Sequence, residues 1–381
     1  MRSMNVLGEL SPQQFINDIW QQRAHVFRQV ISESEGLIDG DELAALACDT
    51  QIESRFIFSN ADETQWQVEH GPFPEERFED LPDSRWTLMV QSVDHWLPEM
   101  HELLGHFNFL PRWRVDDILA TYACNGGGVG PHFDYYDVFL IQAQGRRKWR
   151  IGQHCDENSA LQNNSDVKLL ENFEGVEEFI LEPGDMLYIP PKYAHWGTAI
   201  GDDCITLSVG FRAPSEADMH TELAIERGGS EDKRFEDTPH SIDADPYCIN
   251  EAAIAQIGEL VATPQAGAEK ITASFAKLVT EPRHLGIIQA DENTVSNREL
   301  EAFSKQTNHF TIELDAACRC AYIDNGDQAD LYLNGECYAV SLNFAQQFCK
   351  QSIAPQLLSD SRYQTLLADW LKRGFIYSEA E

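Results

Sequence analysis

Between residues 118 and 211 the chain is a series of short β-forming runs separated by glycine and proline, and this pattern constrains the fold most. Runs of about five residues at such spacing are typical of a small all-β sandwich or barrel. The predicted runs cover 118–124, 138–142, 147–151, 178–181, 185–189 and 204–211. Two earlier strands are predicted at 54–59 and 86–90, and helices are predicted after the cap Ser11-Pro12 and at 39–48.

The pattern changes after Pro214, where short β runs give way to helical segments. Helices are predicted at 220–228, 249–262 and 266–280. Beyond residue 295, Asn325-Gly326 and Asn334-Gly335 are hairpin turns between apolar runs, and helices are predicted at 341–350 and 359–373. The chain is therefore expected to be α+β in three parts, 1–214, 215–294 and 295–381, the last similar to a winged helix.

The charge balance narrows the possible partners. The chain has 28 Lys and Arg residues against 63 Asp and Glu residues, a formal net charge of −35, and residues 295–381 carry 7 basic and 12 acidic residues. Such a surface repels phosphate backbones and anionic membranes and attracts basic partners. No apolar stretch approaches the ~18 residues of a membrane span, and the nine cysteines form no CxxC pair. A cytoplasmic protein with reduced thiols and no direct contact to nucleic acid is expected.

Two segments together predict a metal site. A glycine-rich turn leads into His132-Phe133-Asp134, where residues two apart on a strand project to the same face. About sixty residues later, a Pro-Gly-Asp turn launches a strand and a short loop returns His195. Two imidazoles and one carboxylate form the triad that leaves open coordination positions on Fe(II). We therefore predict His132, Asp134 and His195 as metal ligands.

A basic strand supplies a candidate anion clamp. Residues 145–150 read Gly-Arg-Arg-Lys-Trp-Arg, in a chain that otherwise has few cations. By alternation Arg147 and Trp149 share one face, while Arg146, Lys148 and Arg150 share the other. Arg147 is the residue expected to point inward, because its planar fork can bind a carboxylate through two hydrogen bonds. The outward bases are expected to pair with the acidic surface.

These residues resemble those of the JmjC/cupin oxygenases that depend on Fe(II) and 2-oxoglutarate, and among them the bacterial ribosomal oxygenases. The resemblance rests on five segments: 113–117, 126–134, 136–139, 145–150 and 208–214. It implies a double-stranded β-helix (jelly-roll) catalytic domain over 1–214, a helical dimerisation segment and a winged-helix-like domain.

The resemblance also implies functional residues and an activity. His132, Asp134 and His195 would bind Fe(II), Arg147 would bind the distal carboxylate of the cosubstrate 2-oxoglutarate, and Thr121 and Thr206 would line its pocket. No side chain beyond the metal site is needed as a catalytic base, so Tyr135, Tyr136 and Asp137 are interpreted as pocket or substrate contacts, with ordinary strand packing as the open alternative. The implied activity is hydroxylation of a protein, an arginine of a large-subunit ribosomal protein, by a homodimer.

Three alternatives stay open at this stage. The chain could be a small-molecule oxygenase, a cupin that binds metal or isomerises a substrate without oxidation, or a regulator that uses its winged-helix-like part. Arg147 argues against a pure metal binder, which needs no carboxylate clamp, and the negative charge of 295–381 argues against DNA binding. Apolar positions at Ile249, Ile254, Ile257, Leu260 and Val261 favour a two-fold dimer through the helical segment.

Overall fold

The computed structural model describes residues 5–31, 36–162, 167–223, 234–236, 245–260, 267–282, 288, 310–358 and 360–380. The chain divides into two compact units. The first comprises residues 1–109, 115–213 and 236–242, and the second comprises 110–114, 214–235 and 243–381. The division into three parts stays a prediction. Within the described residues, no helix is both long and apolar enough to cross a membrane.

The first unit is built mainly from β-strands. Its described helices are α1 (Pro12–Asp18), α2 (Gly40–Cys48) and α3 (Pro98–Leu104). Its strands are β1 (His25–Phe27), β2 (Ser54–Ser59), β3 (Trp66–His70), β4 (Trp86–Val90), β5 (Val115–Ala123), β6 (Asp137–His154), β7 (Glu177–Leu181), β8 (Met186–Ile189) and β9 (Tyr193–Phe211).

Two long strands, β6 and β9, organise the sheet. All nine strands belong to one antiparallel sheet in the order β1-β8-β6-β9-β5-β4-β2-β3, and β7 pairs with β6 outside this path. The first half of β6 pairs with β8, and its second half pairs with β7. β9 runs antiparallel to β6 over nearly its whole length. The same two strands thus contribute to both halves of the sheet, as in a double-stranded β-helix.

The separate strands predicted at 138–142 and 147–151 are one strand, and the strand predicted at 204–211 begins at Tyr193. The β6–β9 register shifts on both sides of Gln144, so the ladder continues past the interruption that Gly145 suggested. Gly145 has φ +64°, and a Cβ there would lie 2.8 Å from the Asp203 carbonyl oxygen. The glycine therefore allows β9 to approach closely and marks a bulge within one strand.

Alternation along β6 gives the sheet two different apolar faces. Before the bulge, Phe139 packs with Phe15 of α1 and Tyr188 of β8, at ring-centroid distances of 5.8 and 5.0 Å. The Ser11 hydroxyl caps α1 by accepting from the Gln14 amide, as the Ser-Pro pattern predicted. The opposite face holds a second buried cluster: Val138, Leu140, Trp149, Ile151, Leu181, Leu187 and Ile189.

The second unit combines helices with two small sheets. Its described helices are α4 (Glu216–Glu222), α5 (Glu251–Leu260), α6 (Ala268–Thr280), α7 (Leu342–Cys349), α8 (Pro355–Leu358) and α9 (Ser361–Lys372). Strands β11 (Cys320–Asp324), β12 (Gln328–Leu333) and β13 (Glu336–Ser341) form an antiparallel sheet, and β10 (Phe310–Leu314) pairs with β14 (Ile376–Ala380). Both Asn-Gly turns connect strands as predicted, and Gly374 ends α9 with φ +71°.

The helical segment hides part of the apolar surface on which the dimer prediction depended. Ile249 and Ile257 are each 1% exposed within the single chain. Ile254 and Leu260 are partly buried, and Val261 lies outside the described residues. The pattern Pro214-Ser215-Glu216 also predicts the N-cap of a new helix, and α4 begins at Glu216 with Ser215 as its cap. The predicted continuation to 228 falls outside the described residues. The homodimer stays a prediction.

Candidate metal and cosubstrate site

The glycine-rich segment lies against the beginning of β9. The Gly126 amide donates to the Ala199 carbonyl, and the Ala199 amide donates to the Gly127 carbonyl, at 3.1 and 2.9 Å. A Cβ on Gly128 would stand 2.3 Å from the Gly197 carbonyl oxygen, so only glycine fits at this approach. The segment therefore brings His132 next to β9, near His195.

His132 and His195 are held by a backbone bridge. The His132 amide donates to the His195 carbonyl at 3.1 Å, and the His195 amide donates to the His132 carbonyl at 2.8 Å. Asp134 Oδ2 lies 3.8 Å from His132 Nε2 and 3.5 Å from His195 Nε2. One ligand atom from each of the three residues lies within 4.8 Å of the others. The structure thus brings the predicted triad together.

The other nitrogen of each imidazole is fixed by a carbonyl. His132 Nδ1 lies 3.0 Å from the Gly130 oxygen, and His195 Nδ1 lies 3.0 Å from the Tyr193 oxygen. A carbonyl can only accept, so each Nδ1 carries the proton and each Nε2 presents its lone pair toward Asp134. This is the tautomer that a metal-binding histidine needs, and the donor set suits Fe(II).

Burial adjusts the charge states around the triad. The pKa of His195 is lowered to about 4, mainly by desolvation and secondly by the charge of His132, so this imidazole stays neutral near pH 7. Tyr136 has a pKa well above its usual value, because it is desolvated and faces the carboxylates of Asp134, Asp116 and Asp117. It is therefore a neutral hydroxyl among carboxylates, beside the candidate metal ligand Asp134.

Arg147 lies inside the sheet with its guanidinium incompletely paired. The residue is 2% exposed, and its Nε and Nη2 are buried with no hydrogen-bond partner among the described residues. Its Cζ lies 5.8 Å from the centre of the Trp149 ring, which is 6.1 Å from the centre of the His195 ring. A buried cation with unpaired donors near the candidate metal ligand His195 is a suitable environment for a carboxylate.

The outward bases of the same strand behave as the alternation predicts. Lys148 lies 3.8 Å from Glu178, and Arg150 lies 3.9 Å from Glu63. Arg150 also stacks on Trp196, with its Cζ 3.6 Å from the ring centre. Arg146 is exposed. Arg147 is therefore the base of this strand that is buried.

Thr121 and Thr206 face each other in the β5–β9 ladder, and both are buried. The Thr121 hydroxyl donates to the Thr206 carbonyl at 3.2 Å, and the Thr206 hydroxyl donates to Gln142 Oε1 at 3.2 Å. Gln142 was not predicted from the sequence, since a lone Gln within an apolar run carries no spacing signal. The roles of both threonines stay predictions.

The interpretation of Asp137 as a pocket or substrate contact was wrong. Asp137 is fully buried and accepts hydrogen bonds from the Tyr188 hydroxyl at 2.6 Å and from Gln21 Nε2 at 3.0 Å. It begins β6 on the face that Phe139 also occupies, and therefore points away from Val138 and the inner cluster. Its role is to fasten the segment after α1 to the sheet.

Comparison with known proteins shows which family and which proteins this chain is similar to. Residues 102–219 match the JmjC domain family. A protein of Haemophilus influenzae named "Probable ribosomal oxygenase" is 36% identical over 211 residues, 55% of this chain and 52% of that protein. The "Ribosomal protein uL16 3-hydroxylase" of Escherichia coli is 40% identical over 211 residues, 54% of this chain and 53% of that protein. The aligned part spans about half the length of these curated relatives.

Solved structures match over a larger share of the chain. The X-ray structure of E. coli YcfD covers 97% of this chain and 99% of that chain, with a TM-score of 0.74 and 29% identity. A structure of the E. coli ribosomal oxygenase YcfD in complex with cobalt and 2-oxoglutarate also matches this chain, with a TM-score of 0.73 and 28% identity. The JmjC/cupin fold expected from the sequence is thus confirmed. Residues 102–219 of this chain thus match the JmjC domain family, and the chain is similar in sequence and fold to the ribosomal oxygenases.

Proposed function

We propose that this chain is a 2-oxoglutarate-dependent oxygenase that uses Fe(II) to hydroxylate an arginine of a large-subunit ribosomal protein. One observation carries the proposal. Arg147 is buried near the His132–Asp134–His195 triad, and two of its guanidinium nitrogens have no partner among the described residues. Metal binding alone gives no reason to bury a cation there, whereas a dicarboxylate that reaches from the metal to Arg147 satisfies it.

When bound, the iron would couple the oxidative decarboxylation of 2-oxoglutarate by O₂ to the insertion of one oxygen atom into a C–H bond, with release of succinate and CO₂. The chain's own residues prepare this site. His132 and His195 present their Nε2 lone pairs because their Nδ1–H groups donate hydrogen bonds to the backbone carbonyls of Gly130 and Tyr193. Arg147 orients the cosubstrate by its distal carboxylate, and we propose that Thr121 and Thr206 line that pocket.

The site's surroundings support a cationic substrate. Asp116 and Asp117 face Tyr136, whose hydroxyl is also next to Asp134. Residues 1–214 carry 15 basic and 35 acidic residues. A basic ribosomal protein would be attracted to the negative charge of this unit. The uL16 protein is the natural candidate, because the E. coli relative is named for it.

The test is direct. The purified chain, Fe(II), 2-oxoglutarate and O₂ should convert an arginine-containing uL16 peptide to a product heavier by one oxygen atom, with an equal amount of succinate. Tandem mass spectrometry should locate the oxygen on arginine, and a peptide with lysine at that position should stay unmodified. Oxidation of small metabolites alone would favour the small-molecule oxygenase, and metal binding without succinate would favour a non-catalytic cupin.

Two further parts of the proposal concern the whole protein. We propose a homodimer through the helical segment and a cytoplasmic location, without direct binding of nucleic acid. Light scattering at micromolar concentration should give twice the 43.1 kDa chain mass. A mass of one chain would contradict the dimer and leave the hydroxylase proposal untouched.

A further inference from the structure

Trp149 lies in the inner apolar cluster with its indole N–H unpaired. The residue is 5% exposed, and its Nε1 is buried without a hydrogen-bond partner among the described residues. Buried tryptophans usually find an acceptor for this group, because an unpaired buried donor is costly. The indole N–H of Trp149 therefore needs an acceptor oxygen, and the described residues do not supply one.

The ring is held in one place by Gly197, its partner in the β6–β9 ladder. A Cβ on Gly197 would lie 2.7 Å from Cη2 and 2.8 Å from Cζ3 of Trp149. The benzo edge of the indole thus rests on bare backbone, and Leu140 and Leu187 belong to the same buried cluster. This packing fixes the ring and with it the direction of the N–H.

Trp149 lies near both Arg147 and the proposed metal ligand His195. Its ring centre is 5.8 Å from Arg147 Cζ and 6.1 Å from the His195 ring centre. Nε and Nη2 of Arg147 are also buried without partners among the described residues. Two adjacent side chains on one face of β6 therefore offer three buried donor nitrogens that need acceptor oxygens.

We infer that the Trp149 indole N–H donates a hydrogen bond to the carboxylate that Arg147 binds, as the third donor of the cosubstrate site. A carboxylate offers about four lone-pair positions, and a bidentate arginine uses two of them. The distal carboxylate would therefore keep lone pairs for a further donor, and Trp149 supplies the unpaired donor closest along β6 to Arg147. This inference rests on the proposed function and assigns a specificity-determining residue within it.

The test replaces the N–H and keeps the ring. Trp149→Phe, in the full chain loaded with Mn(II) under anaerobic conditions, should bind 2-oxoglutarate roughly 10- to 100-fold more weakly by isothermal titration calorimetry. Succinate retains both carboxylates and lacks the oxo group, so its affinity should fall by the same factor. Trp370→Phe, which changes a buried tryptophan of the second unit, should leave both affinities unchanged.

The outcomes separate this inference from the proposed function. If the unaltered chain binds no 2-oxoglutarate, the proposed function fails. If the unaltered chain binds it and Trp149→Phe binds it equally well, only the role of Trp149 is wrong. Weaker binding of 2-oxoglutarate with unchanged succinate binding would also overturn the assignment of the acceptor. If the Phe variant fails to fold, Trp149 can be replaced by β-(3-benzothienyl)alanine. In that side chain sulfur takes the place of the N–H group, and the ring shape is retained.

Discussion

Substitution of Arg147 by methionine should have opposite effects on the empty and the loaded protein. Arg147 is 2% exposed and keeps two buried nitrogens unpaired among the described residues. An unsatisfied buried donor costs about 1–3 kcal/mol, and more when the group is charged. Methionine keeps an unbranched stem of similar reach and has no donor. Arg147→Met should therefore stabilise the protein when no dicarboxylate is present.

The magnitudes set the scale of the experiment. A gain of about 1 kcal/mol in unfolding free energy raises the Tm of a unit of about 200 residues by roughly 2–4 °C. Loss of one partner from a buried charge pair costs roughly 2–5 kcal/mol, which is about 30- to 4,000-fold in the Kd of 2-oxoglutarate. Stability and affinity should thus move in opposite directions on one substitution.

Thermal unfolding with and without 2-oxoglutarate, together with calorimetric titration, measures both quantities. Lys148→Met is the matched control, because it removes a positive charge from the next residue, on the outward face. The control should change neither the Tm nor the Kd appreciably, since its pair with Glu178 is solvent-exposed and 3.8 Å long. A lower Tm for the empty Arg147→Met protein, or an unchanged Kd, would refute the argument that the guanidinium is held unpaired for a ligand.

Three shorter predictions concern the metal, the turn and the substrate. His132→Ala or Asp134→Ala should abolish Fe(II)-dependent succinate formation with an unchanged circular dichroism spectrum, and normal turnover by either variant would disprove the ligand assignment. Gly128→Ala should lower the Tm, because its Cβ would stand 2.3 Å from the Gly197 carbonyl oxygen, whereas Gly258→Ala on α5 meets nothing within 4 Å and should raise stability by up to about 1 kcal/mol. Turnover of a basic peptide should fall with added salt through kcat/KM, with kcat little changed, since exposed charges are screened beyond about 8 Å at 0.15 M; a rate indifferent to salt would point to a small neutral substrate.

The local rules of alternation account for what the sequence could predict. Period-two spacing puts Arg147 and Trp149 on one face and Lys148 and Arg150 on the other, and the structure agrees. The sequence predicted a glycine-rich turn before His132, and the close approach of Gly128 to β9 explains why glycine is needed there. These signals depend on neighbours in the chain and need no knowledge of the packing.

What could not be predicted depends on residues distant in sequence. The strand β3 (Trp66–His70) pairs with β2 alone and is half exposed, so its apolar alternation is weak. The continuity of β6 past Gly145 is decided by the partner strand β9. Trp149 Nε1 has no hydrogen-bond partner among the described residues. This depends on how the surrounding strands pack, which the spacing of residues in the sequence cannot show.

The pairing of β6 with β9 fixes the spacing between Arg147 and His195. In the β6–β9 ladder His195 is opposite Ile151 and Ala199 is opposite Arg147, four residues further along. Four residues of strand span roughly 13 Å, and hydrogen bonds fix that length more rigidly than a loop would. Insertions in the loops outside this ladder therefore leave the spacing between Arg147 and His195 unchanged. A single residue inserted between 147 and 151 would instead turn Arg147 to the solvent side, and this spacing within the site would be lost.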